Sequence, residues 1–454
     1  MGNITYDIFE HILDYLHDDR LTLYNCSLVK RAFRDAVAKV LYEQVTFSPA
    51  FTPVLNLRKR AEFMEGVIAS ASLPHNAAHV LKFEIGGYLT YRPPFAITFP
   101  AELRAALRCW CNLNTIIVAP KQHHEDLLND ILPLLPEVPK LHALSINSSY
   151  AQEVHTQILV QVGQLEALTI QNPSRAVLSL LPEWLGRMSR TLRELHLKEN
   201  CGSVTPGVLR SFVPHLEAIH AFSLGLSYSL TDDDVFSFLN QLPNLRTLEL
   251  RYYLQLRAPS ALPFLPHLRS LTVQQTTVTN KEHVTYLCKW IRRVIARSPL
   301  VSLYLISQDV DRGACAAYDG ILEHLYSKHA ATLRVLRMDM AFVGRKALRQ
   351  LFAYCTNLEE VALATSNNAL LEIPRLIRPL LALHTLSVET RNVKPSQVNM
   401  NLTRAQEFFS GGTLGMRRLT VNGCCWEGQW QATSQREVQF CIKQVSPPGT
   451  QRTW

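Results

Sequence analysis

The chain has 454 residues, 47% of them hydrophobic and 19% charged, which excludes wholesale disorder and a tiny disulfide-stapled scaffold. The net charge of +8 is mild for this length and demands no nucleic acid. It is also uneven: residues 1–48 hold five basic and seven acidic side chains, −2 in all, which leaves +10 for the remainder. Two parts with opposite charge are expected to meet different partners.

Residues 1–48 read as three short helices. Thr5 can cap the first and Asp7 sits in its first turn, after which Ile8, Phe9, Ile12, Leu13 and Leu16 follow at helical spacing up to Asp18-Asp19. A second segment carries Leu21, Leu23, Leu28 and Val29, and a third carries Phe33, Val37, Val40 and Leu41. So small a unit has a thin core and is expected to be completed by a partner or by the domain behind it.

From about residue 81 to 424 one pattern recurs: Leu, two variable residues, an aliphatic residue, one variable residue, another aliphatic residue. Clear copies are Leu141/Leu144/Ile146, Leu165/Leu168/Ile170, Leu192/Leu195/Leu197, Leu245/Leu248/Leu250, Leu268/Leu271/Val273, Leu300/Leu303/Leu305, Leu333/Leu336/Met338, Leu358/Val361/Leu363, Leu383/Leu386/Val388 and Met416/Leu419/Val421. Weaker copies begin at Leu81, Leu113 and Leu216. The mean step of about 28 residues lies in the leucine-rich-repeat range. Between copies the spacing becomes helical, as in Val284, Leu287, Cys288, Ile291 and Ile295, and proline often precedes the strand, as at Pro139, Pro214, Pro243 and Pro266. The expected fold is therefore α/β: a helical unit over residues 1–48, then an irregular solenoid over 49–425 with parallel strands on its concave face and helices on its convex face. Residues 426–454, Gln-rich and ending in Val445-Ser446-Pro447-Pro448-Gly449, read as an irregular or disordered tail with no convincing cap.

The repeat region resembles the leucine-rich-repeat family, with Asn200 and Cys424 where that family places its Asn or Cys after the strand. The start resembles an F-box: Asp7-Ile8-Phe9-Glu10-His11-Ile12-Leu13-Asp14-Tyr15-Leu16, then Leu21 to Phe33, then Leu41-Tyr42, departing from the family in having Ile4-Thr5 where Leu-Pro is usual. F-box and repeats together resemble the substrate receptors of SCF-type cullin–RING ubiquitin ligases, in a style common in mushroom-forming fungi. The resemblance implies docking on a Skp adaptor, and through it on a cullin, by Ile8, Ile12, Leu16, Leu21, Leu28 and Val29, with Phe33 and Leu41 as internal packing. It also implies that the repeats select a protein substrate. The alternative is a leucine-rich interaction scaffold outside any ligase, its first helices only a cap.

Period-two alternation sends the residues between the aliphatic positions to the concave side: His196, Lys198, Glu249, Arg251, Tyr304, Arg337, Asp339 and Glu389, with the pair Tyr252-Tyr253 at one strand's edge. Arg251, Tyr252, Tyr304 and Arg337 are the first choices for contact, because Tyr and Arg are enriched at interface hot spots.

Catalysis has no signature here: there is no phosphate-cradling G-x-x-x-x-G-K-[ST], no H-E-x-x-H and no G-x-S-x-G. Not an enzyme and no cofactor are the expectations. His123-His124 beside Glu125-Asp126 reads as a solvated loop or helix start rather than a metal site. Lys289-Trp290-Ile291-Arg292-Arg293 mixes basic and aromatic side chains as nucleic-acid sites do, but Ile291 and Ile295 mark an apolar helix face, so it reads as a solvated convex helix. Ten cysteines without C-x-x-C read as buried reduced thiols in the cytoplasm or nucleus. No apolar run approaches membrane-spanning length, and the start does not read as a signal peptide.

Overall fold

The computed structural model describes residues 8, 11–13, 16, 19–48, 66–87, 95–120, 132–148, 153–254, 260, 262–275, 278, 280–307, 317–391, 400–410, 415–432 and 438–445. The chain divides into two compact units, one of Met1–Ile219 with Ser227–Ser229, the other of His220–Leu226 with Leu230–Trp454.

The first unit begins with the small helical group. Ile8 and residues 11–13 are helical, and helices follow over Arg20–Ser27 and Arg31–Glu43. Asp19 ends the acidic break as an N-cap, its carboxylate accepting from the Thr22 backbone N–H at 3.0 Å. Lys30, extended, separates the two helices. Leu13, Leu23, Ala36 and Val37 form the core, and Leu16, Cys26, Val40 and Leu41 pack against it.

The Arg31–Glu43 helix runs straight into β1 (Gln44–Phe47), so the ladder starts inside the segment read as purely helical. The strands β2 (Lys82–Ile85), β3 (Thr115–Val118), β4 (Ala143–Asn147), β5 (Ala167–Gln171) and β6 (Glu194–Asn200) add in chain order, all parallel. The register stacks Val45, Phe83, Ile116, Leu144, Leu168 and Leu195 in one row. Because Phe83 holds the second aliphatic position, its copy begins at Val80, buried, and not at Leu81. Helices such as Arg175–Met188 pack behind the strands; Trp184 is fully buried there and its indole N–H donates to the Val162 carbonyl at 2.8 Å.

In the second unit β7 (Ala221–Leu226), β8 (Thr247–Arg251), β9 (Ser270–Gln275), β10 (Ser302–Ser307), β11 (Val335–Val343), β12 (Glu360–Thr365), β13 (Thr385–Thr390) and β14 (Arg418–Val421) are again parallel and in chain order. Phe222 pairs with Leu248, which makes the seventh copy Ile219/Phe222/Leu224 rather than one beginning at Leu216. Helices over Asp232–Leu239, Lys281–Ile295, Asp319–Lys328 and Arg345–Tyr354 alternate with these strands. Thr231 and Asp234 form a capping box at the start of the first of these, and Asn280 caps the second. Parallel strands added in sequence order, most of them joined by a helix and each unit stacking its own apolar row, define an α/β solenoid of leucine-rich-repeat type.

The expected irregular tail and missing cap need correction. After β14 the chain turns at Asn422 (φ 49°) and Gly423 (φ 81°) into β15 (Cys424–Ala432), antiparallel to β14, and β16 (Val438–Val445) pairs antiparallel with β15. Asn-Gly adopts the positive φ values that a two-residue hairpin turn needs. This hairpin covers the last parallel strand, with Cys425 and Trp426 buried and Phe440 packed between Phe409 and Trp430. The positions expected for Asn200 and Cys424 also shift by one: the buried residues are Cys201 and Cys425, because a positive φ at Glu199 and the turn at Asn422-Gly423 break the alternation.

Candidate functional site

Two surfaces carry the side chains singled out above. On the helical group, Ile8, Ile12, Leu21, Leu28 and Val29 are 51%, 47%, 72%, 68% and 72% exposed, although each is a large aliphatic residue. Leu16 is not among them. The chain turns at that point, its N–H donating to the Leu13 carbonyl at 2.8 Å, and the side chain packs on the core instead of facing out. Tyr24, 56% exposed, takes a place on the outward face that the sequence reading missed. The spacing 21, 24, 28 on one helix was the available signal. Leu41 packs on the core as expected, and Phe33 is half-buried. So many exposed aliphatic side chains on a unit this small make an apolar patch of the kind that marks an interaction site.

The second surface is the strand face away from the helices. In the first unit His196 and Lys198 of β6 are half-buried; His196 Nε2 lies 3.4 Å from Glu194 Oε2. In the second unit the register aligns Ser223, Glu249, Thr272, Tyr304 and Arg337 across β7 to β11. These are not equivalent. Glu249 accepts from Ser223 Oγ at 3.1 Å and from Gln274 Nε2, while Arg337 is paired with Glu360. Arg251, Tyr304 and Glu389 have no hydrogen-bond or ion-pair partner among the described residues, and Ile306, beyond Tyr304 on β10, is 38% exposed. The backbone of Asp339 lies in β11, but its side chain is outside the described residues, as are His123, His124, Glu125 and Asp126.

Tyr252 requires correction: it is 7% exposed and faces the interior. Alternation continues one residue beyond β8, held by the Tyr252 N–H donating to the Gln274 carbonyl at 2.8 Å, so the ring turns inward against Trp290, centroids 5.4 Å apart. Burial raises its phenol well above the ordinary value, and Asp232 adds to the shift. Trp290 is buried too, beside Ile291 on the apolar face of the Lys281–Ile295 helix, while Lys289 is exposed and Arg292 and Arg293 are half-buried; the run offers no exposed ring for a base to stack on. The carboxyl of Asp232 is pushed up to about 6, chiefly by burial.

The described cysteines are all free. Cys109 and Cys111 are exposed, against the expectation of burial, because they close the Phe95–Cys109 helix at its outer end. Burial pushes Cys288 up to about 11 and Cys355 up to about 12, so neither is a thiolate near neutral pH. Among the described residues no group of three or more His, Cys, Asp or Glu is placed to hold a metal, and no helix is long and apolar enough to cross a membrane.

An apolar helical patch and a strand-built polar face define the class: a repeat-built α/β protein whose surfaces suit protein recognition. No protein-family model matches the chain, and no curated protein matches it by sequence. Solved structures similar to it include a chain of the Rad7 and Elc1 complex in yeast, 13% identical over 90% of this chain and 92% of that one, with a TM-score of 0.45. The leucine-rich-repeat-containing protein LegL7 from Legionella pneumophila is 12% identical over 81% and 97%, with a TM-score of 0.39. A chain of the TLR13–ssRNA13 complex is 13% identical over 76% of this chain, which spans 58% of its length, with a TM-score of 0.29.

Proposed function

We propose that this chain is a non-catalytic substrate receptor of an SCF-type ubiquitin ligase, working in the cytoplasm or nucleus. Its helical group docks on a Skp adaptor, which links it to a cullin, and its strand face holds a protein substrate. The observation that carries this reading is the segregation of aliphatic side chains in the first helices: Leu13, Leu23 and Val37 are buried while Ile8, Ile12, Leu21, Leu28 and Val29 face solvent beside them. A group that served only to cover β1 would turn its large aliphatic residues inward. The receptor forms no bonds itself; it raises the effective concentration of substrate beside a separate transfer enzyme.

A second reading, an interaction scaffold outside any ligase, draws on the direct run of the Arg31–Glu43 helix into β1, which makes the helical group a cover for the first strand. Co-expression with a Skp adaptor separates the two. Under the receptor reading the full chain co-purifies with the adaptor, Ile8→Asp and Leu21→Asp each abolish this, and the melting temperature is unchanged because both positions are exposed. Leu16→Asp is the contrasting variant and lowers stability. Absence of co-purification, or indifference to Ile8→Asp and Leu21→Asp, favours the scaffold.

A further inference from the structure

One residue before each strand, the second unit carries a row linked edge to edge by backbone hydrogen bonds. The Arg246 N–H donates to the His220 carbonyl, Arg269 to Arg246, Val301 to Arg269, Arg334 to Val301, Glu359 to Arg334, His384 to Glu359 and Arg417 to His384, at 2.7 to 2.9 Å. Successive members therefore sit about one strand spacing, ~4.8 Å, apart. The equivalent row of the first unit, Leu81, Asn114, His142, Glu166 and Arg193, is mixed in charge, and His142 lies 3.7 Å from Glu166. In the second unit the row is dominated by arginine because the repeat itself is written Leu-Arg-x-Leu at 245, 268 and 333 and Met-Arg-x-Leu at 416.

Ion pairs remove part of this charge. Arg334 is paired with Glu359 at 2.8 Å, Arg337 with Glu360, and Arg418 with Glu427 at 2.7 Å. Over β8 and β9 nothing does so: Arg246 and Arg269 are exposed, Arg251 is half-buried, and none of the three has a hydrogen-bond or ion-pair partner among the described residues. The nearby carboxylate, Glu249, has each oxygen already engaged by a neutral donor, Ser223 or Gln274. Thr247, Ser270 and Thr272 line the same strands and add hydroxyl donors.

We propose that the rim where β8 and β9 begin, with the strand face next to it, binds an acidic protein segment, Arg246 and Arg269 at neighbouring strand starts taking successive carboxylates and Arg251, about 16 Å further along β8 at ~3.3 Å per residue, taking another where the segment turns along the strand. The inference rests on the reading of the strand face as the substrate surface and names the substrate's chemistry. Three uncompensated guanidiniums call for an anionic partner, since an unpaired cation brought to a neutral surface loses hydration without return. An extended segment can lie along a row with one member per strand, because long arginine side chains take up the difference between the ~4.8 Å strand spacing and the ~6.6 Å between alternate side chains of such a segment. Tyr252 and Trp290, packed behind these strands, are buried and cannot stack on bases, which leaves the half-buried Tyr304 of β10 as the nearest ring on the face, too few for a row of stacked bases.

The test uses the full chain and a fluorescein-labelled peptide of about ten residues alternating Glu and Ser, read by anisotropy, with a Gln-for-Glu peptide and a single-stranded RNA of equal charge as comparisons. The acidic peptide binds with an affinity that falls as salt is raised. The double variant Arg246→Glu/Arg269→Glu weakens it by about tenfold or more, and Arg246→Gln/Arg269→Gln does so to a smaller extent. The control Lys346→Glu/Arg375→Glu makes the same charge change on helices of the same unit and leaves binding as it was. Equal binding of the Gln peptide, loss of equal size in the control, tighter binding of the RNA, or no effect of Arg246→Glu/Arg269→Glu overturns the inference. Adaptor co-purification is independent of these arginines: if it persists while the peptide fails to bind, only the inference falls, and if it fails while the peptide binds, only the ligase reading falls.

Discussion

At the scale of single residues, the strongest constraints come from polar groups placed inside an apolar solenoid. The imidazoles of His324 and His329 meet with ring centroids 5.4 Å apart, and burial lowers both, His329 to about 4. The neighbours that act on them, Arg292 from the preceding helix and Lys328 from their own, are cationic and lower them further. Unfolding restores ordinary histidines near pH 6.5, so for His329, between about 4 and 6.5, the unfolded chain binds more protons and stability rises with pH by at most about 1.4 kcal/mol per unit, and His324 acts in the same direction. Asp232 works the other way: held up to about 6 when folded, it binds more protons in the native state over nearly the same window, so its contribution falls as pH rises. Denaturation midpoints from pH 4.5 to 6.5 are therefore expected to climb only gently in the native chain and more steeply in Asp232→Asn. Trp184 poses a simpler case. Trp184→Phe keeps a ring in place but leaves the Val162 carbonyl without its donor, with an expected loss of about 1–3 kcal/mol in chemical denaturation.

At the scale of elements, the closing hairpin carries the sharpest demands on particular residues. Gly423 has φ 81°, a region that side-chain-bearing residues rarely occupy, so Gly423→Val is expected to cost more than about 1 kcal/mol and to loosen the pairing of β14 with β15. Gly428 is constrained by packing: a Cβ there would run into the rings of Phe440 and Phe409. Gly428→Val is expected to push Phe440 aside, and near-ultraviolet circular dichroism of the Trp430–Phe440 pair reads that displacement. The repeated strands are more forgiving individually, because each leucine row is shared by neighbours, yet a gap in the middle of a row is still felt. Leu336, fully buried between Leu303 and Val361, is expected to lose about 2–5 kcal/mol on change to Ala.

At the scale of the whole chain, the two units divide the chemistry. The first carries the exposed aliphatic side chains of the helical group, and its row before the strands is mixed in charge; the second carries the arginine row and the closing hairpin. A chain ended after residue 423 would leave the β14 edge uncovered, and is expected to aggregate at concentrations where the full chain stays monomeric in light scattering. The same variant tests whether the hairpin is a cap or a separate appendage, since an appendage could be removed without that effect.

The repeat, its strand–helix alternation and the inward aliphatic positions were legible in the sequence because each depends on local periodicity, and the period of two within a strand decides which residues are buried. Val80 and Ile219 escaped because their copies substitute Phe83 and Phe222 for the expected aliphatic residue, so only the register with neighbouring strands identifies them. The Asn422-Gly423 turn was written in the sequence and passed over among Gln-rich surroundings. What tertiary structure alone decided was availability. Leu16 and Leu21 look alike in sequence, as do Arg251 and Arg337, but a turn folds Leu16 onto the core and a facing Glu360 occupies Arg337. Which side chains remain free to meet a partner depends on how a turn aims them and on what the adjoining repeat sets opposite, and the periodicity of one strand or helix encodes neither.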